Sequence, residues 1–336
     1  MKAFEWVNPT TVAEAVKQLS TQVSDPKEAP RPLAGGQDLL TTMKDYITQP
    51  VRVVNLKSIP GLNKIEGDAK KGLKLGALVT LSQLEEHPEI RKSFPAIAEA
   101  AHSVASTQIR NLGTLAGNLC QRPRCWYFRL EHVVCLKKGG DQCYAEAGEN
   151  KYNAILGGGP SYIVHPSDLA PALVALGASV VIVGPNGNRT VELEKFFKLP
   201  SQGDLLRENV LADNEIITEI QVPASPVAAR STYLKFKERD SLDFALSAVA
   251  AAVELDAGGK VKQARLVLGG VAPTPWRVPK AESYLVGKKL DEATLQEAAK
   301  LALEGAQPLL HNQYKVPLTQ TLVRRALNQL GSGKSA

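Results

Sequence analysis

Apolar residues recur at helical spacing over residues 9–19, where Val12, Ala15, Val16 and Leu19 form one face and Thr11 and Glu14 stand at capping-box spacing. After a proline-rich connection the pattern changes. Strand-like Pro32-Leu33-Ala34 runs into Gly35-Gly36, a helical stretch starts at Leu39, and a second strand covers residues 51–56. Strand, helix and strand within about 30 residues is the size of a βαβ unit. Residues 1–58 are therefore expected to form a small α/β lobe.

A second unit is expected over residues 59–224. A strand at residues 73–77 precedes helices that run through Leu84 and from Ile97 to His102, bounded by Pro88 and Pro95. Further on come a strand at 162–164, a helix at 168–176 and a strand at 179–183, with Asn186-Gly187 as a hairpin turn signal. A strand at 216–222 ends at Pro223, and Pro223-Ala224-Ser225-Pro226 reads as a linker. Residues 229–330 change character. Strand-like runs at 232–237, 248–255 and 264–268 come first, and amphipathic helices at 291–305 and 317–330 follow, which indicates an α+β domain. The last six residues are expected to be disordered.

Composition narrows the classes. The chain is 44% hydrophobic and 22% charged, and no apolar run approaches the roughly 20 residues of a membrane-spanning helix. The N-terminus lacks the charged and apolar regions of a secretory signal. The net charge of +6 is a slight excess of 40 basic over 34 acidic residues, spread along the chain, so no nucleic-acid partner is expected. The five histidines show no paired spacing.

Two glycine-bearing stretches carry the candidate chemistry. In Ala34-Gly35-Gly36-Gln37-Asp38-Leu39 a strand feeds a glycine pair and then a helix start. Without Cβ atoms the backbone can approach a phosphate, and the first N–H groups of a helix attract negative charge. In residues 108–118, Gln-Ile-Arg-Asn-Leu-Gly-Thr-Leu-Ala-Gly-Asn, small residues alternate with hydroxyl and amide donors. A ligand-free tight turn accounts for either stretch alone. Together they suggest one ligand clasped between lobes.

The ordered set AGGQDL, GALVTLSQL, QIRNLGTLAGN, HPSDLAPAL and KFKERDSLDFA resembles the FAD-binding medium subunit of molybdenum hydroxylases, the group of xanthine dehydrogenase and carbon monoxide dehydrogenase. The resemblance spans residues 1 to about 330. It implies an α+β chain: the two-lobed FAD-binding fold of the vanillyl-alcohol oxidase type, plus a C-terminal domain like that of the carbon monoxide dehydrogenase flavoprotein. It also implies that the FAD diphosphate lies against Leu33, Ala34, Gly35, Gly36, Gln37, Asp38, Leu39 and Leu40 and against Thr114, Leu115, Ala116, Gly117 and Asn118. Val104 and Ala105 would line the same cleft. Ser167 and Asp168 would touch the flavin, and the same Ser-Asp pair is also an N-cap signature for the helix after it. Lys235 would reach the flavin, where a cation helps stabilise an anionic reduced ring; an exposed strand lysine is the plainer alternative. Ile217 is a further candidate contact.

All four cysteines, Cys120, Cys125, Cys135 and Cys143, fall between positions 120 and 143. Their spacing lacks the paired C-x-x-C knuckles of structural zinc. Thiolates at irregular spacing also suit an iron–sulfur cluster. Residues 119–161 resemble the insert of certain members, among them aldehyde-dehydrogenase subunits and the beta subunit of 4-hydroxybenzoyl-CoA reductase, which implies a four-iron–four-sulfur cluster. The family pattern places a cysteine where this chain has Ser161, so the fourth ligand is Cys120, the Ser161 hydroxyl or absent. The basic and aromatic residues of 122–129 would screen the cluster and offset its charge.

The implied partners are a molybdenum-cofactor large subunit, a two-iron–two-sulfur small subunit and an external electron acceptor: NAD, a quinone, ferredoxin or oxygen. No residue is expected to act as acid or base on the organic substrate. The implied location is the cytoplasm, or the periplasm by export with a signal-bearing partner. Two other readings stand beside this one: a self-contained flavin oxidoreductase of the same fold, and a cysteine-metal module that binds nucleic acid.

Overall fold

The computed structural model describes residues 1–332. The first sheet holds β1 (Glu5–Val7), β2 (Arg31–Leu33) and β3 (Arg52–Asn55) in the order β1-β3-β2, with both pairings parallel. Parallel neighbours need crossovers. Helix Val12–Leu19 lies in the first connection and helix Leu39–Lys44 in the second. The capping box differs by one residue from expectation. Thr11 Oγ1 accepts from the Glu14 N–H at 3.1 Å, but the Glu14 carboxylate accepts from the N–H of Thr10 at 2.8 Å.

The second sheet is antiparallel throughout. It contains β4 (Ile65–Asp68), β5 (Gly72–Gly76), β6 (Ser179–Gly184), β7 (Gly187–Glu192) and β8 (Ile216–Val222), in the order β4-β5-β8-β6-β7. Side chains alternate across these strands, so Leu73, Leu75, Val180, Ile182, Ile220 and Val222 enter one core. Helices Leu81–Glu86, Pro95–Ser103 and Leu169–Ala175 close that core. β6 and β7 form the expected hairpin, with Gly184 paired to Gly187.

The third sheet runs β12-β11-β10-β9, all antiparallel, from β9 (Ser231–Phe236), β10 (Ser247–Leu255), β11 (Val261–Gly269) and β12 (Trp276–Arg277). β10 is buried on both faces. Ala248, Ala250 and Ala252 face the core of the second sheet, while Val249, Ala251 and Val253 face helices Pro279–Leu285, Glu292–Ala302 and Lys315–Ser332. The alanines let helices Pro95–Ser103 and Leu169–Ala175 sit close to the strand, which locks the C-terminal unit against the centre of the molecule.

The last helix includes Gly331 and Ser332, where disorder was expected; residues 333–336 lie outside the described residues. Among the described residues no helix is long and apolar enough to cross a membrane. The sequence pattern gives no sign of Lys315, which is fully buried and donates to the carbonyls of Tyr152, Asn153 and Gly270 at 2.8–3.1 Å. It ties the end of the insert to β11 and the last helix.

Candidate functional site

The connection after β2 and the break between helices Thr107–Leu112 and Leu115–Leu119 meet directly. A Cβ on Gly35 would lie 2.1 Å from the carbonyl oxygen of Leu112 and 3.1 Å from Gly113 Cα, so only glycine permits this approach. Gly36 takes φ +74°, a left-handed turn that aims the chain into helix Leu39–Lys44. The second stretch is less of a loop than expected. It is two short helices, each capped by a hydroxyl: Ser106 accepts from the Ile109 N–H at 3.5 Å and Thr114 from the Gly117 N–H at 3.2 Å.

Beside this junction lies a cavity of about 480 Å³, within the usual range for a ligand cleft. Ala34, Gly35, Gly36, Gln37, Asp38 and Leu39 line it from the first lobe, and Thr114, Ala116, Gly117 and Asn118 from the second. Val104, Ala105, Ile217, Asp168 and Lys235 line it too. Ala105 holds φ +43°, a strained conformation for a residue with a Cβ, which brings backbone to the cleft wall. Four expected contacts are placed elsewhere. Leu33 and Leu115 are core residues because their strand and helix positions point inward, Leu40 is exposed, and Ser167 lies behind the wall.

Ser167 and Asp168 divide the work that the sequence left joint. Ser167 Oγ accepts from the Ala170 N–H at 3.0 Å and so caps helix Leu169–Ala175; it also donates to Asn118 Oδ1 at 2.5 Å. Asp168 makes no cap bond. Its carboxylate accepts from Lys235 Nζ at 2.8 Å and from the Tyr233 hydroxyl at 2.7 Å, with both charged side chains 95% buried or more. Lys235 is thus no exposed strand lysine. Its Nζ also donates to the Ser103 carbonyl at 3.0 Å, which leaves one of three donors for a ligand at the cleft. Burial, reinforced by Asp168, holds the Tyr233 phenol far above its ordinary range, so it stays a donor.

Arginines of residues 122–129 form the other end. The Arg122 N–H donates to Asp38 Oδ2 at 2.7 Å, and the guanidinium groups of Arg124 and Arg129 reach Asp38 Oδ1 at 2.9 and 2.8 Å. Arg124 lines the cleft and stacks on Phe244 at 4.7 Å. Burial lowers it to about 10, against the pull of Asp38. Its Nε is buried without a protein partner. Arg122 and Lys137 both pair with buried Glu208, at 2.6 and 2.7 Å. Arg122, Arg124 and Arg129 were expected to screen a cluster; here they bind carboxylates and fasten the insert over the cleft. Arg122, Arg124 and Phe244 are cleft residues that sequence reasoning did not place there.

The four thiols do not gather. Among the described residues no three His, Cys, Asp or Glu side chains converge as metal ligands. Cys120 caps the end of helix Leu115–Leu119 against the second-sheet core and lines the cleft, and burial alone pushes its thiol up to about 12. Cys125 and Cys135 lie apart from it, in a small apolar cluster with Ile47 and Phe128. Burial raises both thiols, with a smaller push from Cys143 nearby. Ser161 is buried. Cys120 is therefore removed from the expected ligand set by its place in the helix, and the four-cysteine cluster does not fit the structure. His165 is also buried and is lowered to about 4 by desolvation; it packs edge-on to Phe197 at 4.6 Å, outside the cleft.

The glycine junction, the small residues around it and the unspent donors fit a long, diphosphate-bearing ligand such as FAD. Comparison with known proteins agrees. The family model described as the FAD binding domain in molybdopterin dehydrogenase matches residues 2–225, and that of the CO dehydrogenase flavoprotein C-terminal domain matches residues 231–330. The FAD-binding subunit PaoB of an aldehyde oxidoreductase from Escherichia coli is 34% identical over 97% of this chain and 98% of its own. The carbon monoxide dehydrogenase medium chain of Hydrogenophaga pseudoflava is 32% identical over 97% of this chain and 96% of its own. The structure of carbon monoxide dehydrogenase from that organism superposes with a TM-score of 0.76 at 28% identity, covering 99% of both chains. The chain belongs to the family of FAD-binding medium subunits of molybdenum hydroxylases.

Proposed function

We propose that this chain carries FAD in the cleft between its lobes and passes electrons from the iron–sulfur centres of a molybdenum dehydrogenase to an external acceptor. The observation that carries this reading is the contact of Gly35 with Leu112 and Gly113, which sets two glycine-bearing turns side by side in the wall of the cleft. When bound, FAD supplies the redox chemistry, and the protein supplies binding, orientation and electrostatics. The backbone at Gly35, Gly36, Thr114 and Gly117 would hold the diphosphate, with Arg124 neutralising the Asp38 carboxylate beside it. Asp168 fixes Lys235 in place, and the remaining Lys235 N–H would meet an acceptor atom of the flavin. The neutral Tyr233 phenol orients Asp168 by donating to it.

In this reading a molybdenum-cofactor subunit transforms the organic substrate, and a two-iron–two-sulfur subunit relays the electrons. That division of labour accords with the relatives, whose names describe FAD-binding or medium subunits. The complex would work in the cytoplasm, or in the periplasm after export with a signal-bearing partner. The further iron–sulfur centre has narrower support: Cys125, Cys135 and Cys143 share one region of the insert, and Cys120 does not join them. No step is assigned to it.

Anaerobic purification with an absorption spectrum, and flavin and iron counts per chain, tests both parts. One flavin per chain is expected. A colourless protein that takes up no FAD refutes the reading, and a yellow protein without iron refutes the extra centre alone.

A further inference from the structure

A second cavity, of about 300 Å³, opens behind the wall formed by Asp168, Arg124 and Phe244, which line both spaces. Its far side is built by the insert and by the connection between β9 and β10. Trp126 and Tyr152 meet edge to face at 5.5 Å, and Leu242 closes the rim. Trp126 is 56% exposed, Leu242 57% and Phe244 42%. Aromatic faces left open around a small cavity suit a flat, conjugated guest.

The charges exclude one large class of guest. Lys151 is paired with Glu238 at 2.7 Å, Arg239 with Asp243 at 2.8 Å and Arg124 with Asp38 at 2.9 Å. Glu149 at the rim has no cationic partner among the described residues, so the lining offers a diphosphate no spare positive charge. The volume lies at the lower limit of ligand pockets, room for one half of a dinucleotide with its bridge and second nucleoside left outside. A neutral molecule of one or two rings fits both constraints.

We infer that this second cavity is the electron-exit site and that it takes a quinone-class acceptor rather than a nicotinamide dinucleotide. The inference rests on the reading that the cleft holds FAD with its ring toward Asp168 and Lys235, since Asp168 is among the residues that line both cavities. The quinone is reduced by two electrons and two protons, and both carbonyls become hydroxyls. The reduced flavin is oxidised and supplies the two electrons and one proton; solvent at the open rim supplies the other. Trp126 and Tyr152 would hold the ring, acting as binding residues.

The test uses the full chain loaded with FAD, photoreduced without oxygen and mixed with duroquinone, whose ring carries no position open to attack by the four thiols. Flavin reoxidation is expected to saturate with duroquinone. Trp126→Ala and Tyr152→Leu should each raise the half-saturating concentration about tenfold at unchanged flavin content, because each removes one aromatic face. NAD should reoxidise the flavin far more slowly. Equilibrium binding gives an independent readout: duroquinone should quench tryptophan emission saturably in the oxidised protein, and Trp126→Phe should leave only the linear quenching of Trp6 and Trp276. Rates linear in duroquinone and indifferent to both variants would overturn the inference and leave the aromatic face to a partner subunit. Faster, saturable reoxidation by NAD would overturn it as well. A colourless protein would remove the flavin reading itself, whereas a yellow protein with linear kinetics removes only this site.

Discussion

Gly35→Ala is the sharpest perturbation of the cleft. The added Cβ would stand 2.1 Å from the Leu112 carbonyl oxygen, 2.9 Å from its carbon and 3.1 Å from Gly113 Cα, and all three are backbone atoms. Carbon needs about 3.5 Å from such neighbours, so the two turns must separate by more than about 1 Å. Forced overpacking of this kind costs about 1–3 kcal/mol. If the turns part, that cost appears as weaker FAD binding, about 5- to 150-fold in Kd. If they hold, it appears as lost stability, about 2–4 °C in Tm for each kcal/mol. Titrating flavin-free protein with FAD and recording thermal unfolding measures both shares. Gly36→Ala is the comparison. Its Cβ would meet only side chains, Leu40 at 3.3 Å and Leu33 at 3.8 Å, so it suffers the left-handed φ of +74°, about 1–2 kcal/mol, without prising the turns apart. Its FAD affinity should fall less. Should Gly35→Ala bind FAD within twofold of wild type and melt at the same temperature, the two turns do not jointly grip the ligand.

Three further outcomes follow from buried groups. Asp168→Leu strands the Lys235 ammonium in the interior and should cost about 3–5 kcal/mol in urea unfolding, while Asp168→Leu with Lys235→Met should cost far less; equal losses would show the pair to be uncoupled. Burial lowers Lys315 from 10.5 to about 7. Between those values the unfolded chain holds the proton and the folded chain has released it, so stability should rise with pH from about 7 to 10.5, and Lys315→Met should abolish that slope in melts across the range. Cys120, raised to about 12, should resist iodoacetamide at pH 8 for as long as the fold persists, with labelled peptides mapped by mass spectrometry. Rapid native labelling would contradict its place in the core.

What the sequence made legible was local. Strand β2, the glycine pair and helix Leu39–Lys44 follow one another in the chain, so period and turn chemistry reveal them together. The hydroxyl at Ser167 and the apolar run after it announce a cap for the same reason. The partners of Asp38 could not be read this way. They lie 84 and 91 positions away and declare themselves only as arginines in a stretch that could serve any anion. Lys315 shows the same limit in reverse. A lysine at the start of an amphipathic helix reads as a solvated charge, and three carbonyls from two distant segments make it an interior one.

Asp38 also explains why the insert and the cleft cannot be treated as separate devices. It belongs to the first glycine turn, yet its carboxylate is spent on Arg122, Arg124 and Arg129. A carboxylate at a diphosphate site would repel its ligand if left bare; held by three arginine donors, it presents the cleft with the far side of a neutralised group. In the proposed reading the insert would therefore contribute to cofactor binding by neutralising Asp38 through its arginines. The same region is ordered by protein partners of its own: Lys137 and Arg122 on Glu208, Asn150 on the carbonyls of Ala145 and Gly148, and Asn312 on those of Asn153 and Ala154. The order of the insert and the neutralisation of Asp38 are thus one arrangement, and loss of an arginine from it would be felt at the first glycine turn.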